Sequence, residues 1–109
     1  RIAGTGRGME LLLTGRVFSA EEAVDIGVVQ YLFSKNVVDE AIALGSQIAA
    51  HGPIAAQYLK EAILSGADMT LSQGLRLETD LNVILQSTND RAEGIESFLS
   101  KKSPKFMGR

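Results

Sequence analysis

Apolar residues recur at helical spacing along most of this chain, in short blocks separated by glycine, proline and small polar residues. After a loose opening at Gly4, Gly6 and Gly8, residues 9–13 (Met-Glu-Leu-Leu-Leu) predict a short helix that Gly15 ends. Ser19 and Glu22 have the spacing of a capping box, in which hydroxyl and carboxylate each satisfy a backbone N–H. They predict a second helix through Ala23 that stops at Gly27. Residues 28–33 are β-branched and aromatic and give the one predicted strand. Alone, it must pair outside the segment or stay an extended connection.

From Asn36 the period is helical again. Val38, Ala41, Ile42, Gly45, Ile48 and Ala49 share a face until Gly52, and Pro53 opens the next helix, whose stripe is Ala55, Tyr58, Leu59, Ala62 and Ile63 before Gly66. These two are expected to form a helical hairpin. Thr70 and Gln73 predict a second capping box, heading a helix over residues 71–86 with Leu75, Leu77, Leu81, Val83, Ile84 and Leu85 around more than half its circumference. Such a helix is normally buried on two sides, so one side is expected to face another subunit or a further domain. Leu77 and Leu81 are then positions where a charge should disrupt assembly. A last helix starts near Asp90 with Glu93 as its reciprocal cap, and carries Ala92, Ile95, Phe98 and Leu99 before Pro104 stops it.

Composition narrows the function. With 109 residues, 45% of them apolar and 22% charged, there is material for one modest core and no linker or repeat to divide it, so residues 1–109 read as one unit. Zero Cys removes thiol nucleophiles, disulfides and Cys-based metal sites, and a single histidine, His51, removes histidine clusters. His51 stands at a helix end, where capping explains it. A net charge of −2 argues against nucleic acid as a partner, and no apolar run approaches the roughly 20 residues of a membrane span. The first residue is Arg1 rather than Met, which suggests an excised or processed segment.

Candidate chemistry is sparse. Gly4, Gly6 and Gly8 match no phosphate-binding fingerprint and read as close backbone passage. The acid pairs Glu21–Glu22, Glu78–Asp80 and Glu93–Glu96 have the form needed for acid/base work, but read as helix-end or solvated groups, with Glu78 suited to an ion pair with Arg76 or Arg91. The end of the chain differs: Lys101, Lys102, Lys105 and Arg109 fall in its last nine residues with no acid among them. Phe98 and Lys101, three apart, would set an aromatic face and an ammonium on one side of a helix. That suits a planar ring beside a phosphate, while a core Phe with solvated lysines is the plainer alternative.

Taken in order, Met-Glu-Leu-Leu-Leu-Thr-Gly-Arg at 9–16, Phe-Ser-Ala-Glu-Glu-Ala at 18–23, Gly-Val-Val at 27–29, Gly52-Pro53, Lys60-Glu61-Ala62, and Asp90, Glu93, Gly94, Ile95, Phe98, Lys101, Lys102, Pro104, Phe106 and Gly108 resemble the enoyl-CoA hydratase/isomerase (crotonase) superfamily. The resemblance covers essentially the whole chain and implies its C-terminal portion. The implied fold class is mostly α: the helical trimerisation part of a crotonase-type α/β fold, with five to six helices and one short extended strand. An N-terminal βαβ spiral, carrying the oxyanion hole and two catalytic glutamates, would be absent from this chain. The implied activity is that of an enoyl-CoA hydratase, with isomerase, other lyase or hydrolase, or a non-catalytic helical assembly module as alternatives, and with this segment inactive alone. No catalytic residue and no metal ligand is carried over. Phe98 and Lys101 match positions holding the adenine end of coenzyme A, which is part of the substrate, so no separate cofactor is implied. Lys102 stands where the family often has Arg and lacks its bidentate fork. The expected partners are an acyl-CoA thioester, copies of the chain in a homotrimer or dimer of trimers, and the missing N-terminal part, with no nucleic acid or membrane. The expected compartment is the cytoplasm, or the mitochondrial matrix in a eukaryote.

Overall fold

The computed structural model describes all of residues 1–109, as six helices without a strand. They are α1 (Thr5–Thr14), α2 (Ala20–Asp25), α3 (Val37–Ala49), α4 (Pro53–Gly66), α5 (Leu71–Leu85) and α6 (Asn89–Ser100). The expectation of a strand is therefore corrected. Residues 28–30 are bends that fold back on α2 and residues 31–33 are irregular; Tyr31 and Phe33, two apart, stack at 6.0 Å, but no second segment offers its N–H and C=O groups, so no ladder forms. The chain divides into two compact units, Arg1–Ala41 and Ile42–Arg109, with α3 running through the boundary.

In the first unit α1 begins earlier than the spacing predicts. Gly4, at φ +79°, turns the chain into the helix, and Gly6 and Gly8 lie within it. Gly15 ends it in the left-handed conformation, its N–H donating to the Leu11 carbonyl at 3.1 Å. Ser19 caps α2 by accepting from the Glu22 N–H at 3.2 Å. The Glu22 carboxylate does not complete the box, because it is bound to Arg16 instead. Gly27, at φ +77°, then folds the chain so that the N–H groups of Val28 and Val29 both donate to the Ala23 carbonyl, over the buried Ala23.

In the second unit the packed pair is α4 with α5, rather than the expected α3 with α4; α3 is exposed along its whole length. The α4–α5 crossing is close because glycine meets glycine: a Cβ on Gly74 would lie 3.6 Å from the Gly66 carbonyl oxygen. The Thr70–Gln73 capping box is fully formed. Leu81 is the buried apolar residue of α5, whereas Leu75, Val83 and Ile84 are exposed. A charge at Leu81 therefore tests the fold, not assembly. α6 is capped by Thr88, whose hydroxyl accepts from the Arg91 N–H, so Asp90 lies inside the helix and is freed from the capping role expected of it.

Candidate functional site

The end of α6 is built by a two-bond turn. Lys101, at φ 55°, is left-handed; its N–H donates to the Phe98 carbonyl at 3.3 Å, and the Lys102 N–H reaches back to the Ser97 carbonyl at 2.9 Å. This is the Schellman arrangement, usually given to glycine because a Cβ is disfavoured there. Lys101 thus sits just past the helix, not on it at regular spacing as expected. Phe98 is 83% exposed and belongs to no core. Neither Lys101 nor Lys102 enters an ion pair within the chain, and both stand at a helix C-terminus whose partial negative charge favours ammonium groups. An uncovered ring and two uncommitted cations share one helix end.

Beyond Lys102 the chain turns back along α6 as a strap. The Lys105 N–H donates to Glu93 Oε1 at 2.8 Å, while those of Met107 and Gly108 donate to the two carboxylate oxygens of Asp90 at 2.7 and 2.8 Å. At the far end the Arg109 carbonyl accepts from the N–H groups of Asn89 and Asp90, two donors that the first turn of a helix otherwise leaves unsatisfied. The Ser97 hydroxyl, itself buried, donates to the same Glu93 Oε1 at 3.0 Å. The Lys105 N–H, and then this hydroxyl, hold the Glu93 carboxyl below its ordinary range. Phe106 fills the space under the strap, lying where Cβ atoms on Gly94 and Gly52 would touch its ring at 3.5 and 3.8 Å. A pocket of about 280 Å³ opens beside it, lined among others by Ala55, Asn82, Leu85 and Asp90.

The other candidates are not brought together. Glu10 and Glu22 flank Arg16, with Nε–Oε1 at 2.6 Å on the Glu10 side, and the guanidinium holds both carboxyls low. Glu21 is also held low, by its own backbone N–H and by Ser19. Arg76 lies 4.0 Å from Asp80 rather than pairing with Glu78. His51 is an exposed residue between α3 and α4 whose N–H closes the end of α3 on Ile48. No three of Asp, Glu and His converge as metal ligands would. The roles of Asp90, Glu93 and Phe106 were missed in the sequence because their partners lie 12 or more residues away, or in another helix, where no local spacing signals them.

The enoyl-CoA hydratase/isomerase family model matches residues 1–109. The chain belongs to this family. Among curated relatives it is 36% identical over 110 residues to 2,3-dehydroadipyl-CoA hydratase of Escherichia coli, covering all of this chain and 43% of that protein. It is 36% identical over 107 residues to the mitochondrial enoyl-CoA hydratase of Pongo abelii, covering 97% and 37%. The crystal structure of an enoyl-CoA hydratase from Bacillus anthracis superposes with a TM-score of 0.95 at 38% identity, over the whole chain and 43% of that structure. The chain thus spans about two-fifths of the length of such relatives. The expected placement as their C-terminal portion is corrected along with the strand, because the matched share of the relatives does not support it. No helix is long and apolar enough to cross a membrane.

Proposed function

We propose that the protein carrying this chain hydrates enoyl-CoA thioesters, and that the end of α6 holds the adenine and phosphate end of coenzyme A through Phe98 and Lys101. The observation that carries the reading is an exposed ring at the last turn of α6, followed three residues later by a lysine kept in a conformation that favours glycine. A ring face accepts a planar base, and an unpaired ammonium offers a phosphate a charge-assisted hydrogen bond. The carboxylates of this chain are committed or solvent-facing, so we assign none of them to proton transfer and read these residues alone as inactive. Copies of the protein assemble, as a trimer or a pair of trimers, over the exposed apolar side of α5 at Leu75 and Val83.

The decisive experiment is Lys101→Ala in the intact protein. Affinity for a CoA thioester should fall about three- to tenfold, more at low salt, while a short pantetheine thioester binds unchanged. Equal loss for both thioesters would contradict contact at the adenine end. Hydration of crotonyl-CoA by the intact protein tests the reaction itself; double-bond migration without hydration would assign it to the isomerases.

A further inference from the structure

We propose that Asp90 and Glu93 are positioning residues for Lys101, a step that rests on the reading of Phe98 and Lys101 as ligand contacts. Lysine in the left-handed region is disfavoured by about 1–2 kcal/mol relative to its ordinary conformations. Two turn bonds, to Phe98 and Ser97, hold Lys101 there from the helix side. On the other side only residues 102–104 separate it from the first pinned N–H of the strap, that of Lys105. Pro104, with its fixed φ, shortens the free chain further.

The pins are themselves secured. Ser97, 5% exposed, directs a hydroxyl at the Glu93 oxygen that receives the strap, and Asp90, 7% exposed, commits both of its oxygens to Met107 and Gly108. Phe106 is clamped beneath, against Gly52 and Gly94. Freed from these anchors, the chain after Ser100 would leave the left-handed turn, and Lys101 would lose the fixed backbone position it holds at the helix end that carries Phe98. The two acids thus act on the ligand through backbone geometry and without touching it.

The test is a double-mutant cycle in the intact protein, read as the affinities of coenzyme A and of a pantetheine thioester by calorimetry. Glu93→Ala should weaken coenzyme A binding about as much as Lys101→Ala does and leave the pantetheine thioester unchanged. Added to Lys101→Ala it should produce no further loss. Glu93→Gln keeps an acceptor for the Lys105 N–H and should restore most of the affinity, which also serves if the alanine variant folds poorly. A loss by Glu93→Ala that persists in the Lys101→Ala background, or that extends to the pantetheine thioester, overturns positioning in favour of a general structural role. If Lys101→Ala weakens binding and Glu93→Ala does not, positioning alone falls. If Lys101→Ala has no effect, the ligand reading falls with it.

Discussion

A lysine at a left-handed helix end is a residue in tension between stability and use. Replacing Lys101 by Gly removes the Cβ penalty and should stabilise the second unit by about 1 kcal/mol, while the proposed contact requires that coenzyme A affinity fall. Urea unfolding alongside ligand titration checks this. A variant that loses stability as well as affinity would mean that the lysine side chain supports the fold. The spacing of Phe98 and Lys101 was legible in the sequence, but the conformation that sets them was not. It depends on Glu93 and Asp90 meeting Lys105, Met107 and Gly108 across intervals that no helical period reports.

Among the elements, boundaries were legible wherever a residue's own backbone chemistry decides them: Gly15 and Gly27 at positive φ, Pro53 at a first turn, Thr70 with Gln73. Where a side chain had a choice of partners, the local rule failed. Glu22 could have closed its capping box but instead meets Arg16, which also binds Glu10 and so ties α1 to α2. Because the guanidinium lowers both carboxyl pKa values in the folded chain, its stabilisation is present above the unfolded carboxylate range, near pH ~4.3, and is lost as pH falls through the lower folded values. Hydrogen exchange at the Gly15 and Val28 amides should therefore accelerate on acidification, after correction for intrinsic rates. In Arg16→Ala it should already be fast at neutral pH. A pH-independent protection pattern would show that the ion cluster does not couple the two helices. Residues 28–33 failed for another reason: β propensity describes fitness for a ladder, and a ladder needs a second strand.

For the molecule as a whole, the balance of buried and exposed apolar residues matters most. Ala23 and Leu81 are its buried apolar side chains, against a long series of exposed ones that includes Leu75, Val83 and Ile84 on α5. The core role of α5 and its proposed assembly role can be separated by substitution. Leu81→Ala should cost about 2–5 kcal/mol in unfolding free energy, whereas Val83→Glu should leave the melting of the isolated subunit nearly unchanged and shift the sedimentation of the assembled protein to smaller species. An unaltered sedimentation profile for Val83→Glu would remove α5 from the assembly surface.

The strap also bears on how this end of the chain acquires its structure. Its carboxylate bonds close loops of 12, 17 and 18 residues, and the entropy of closure grows only logarithmically with length, so each added pin costs little once the first has formed. Segments of this size meet within a fraction of a microsecond. α6 and its returning tail therefore form a locally wired folding unit, whose pins can close in quick succession.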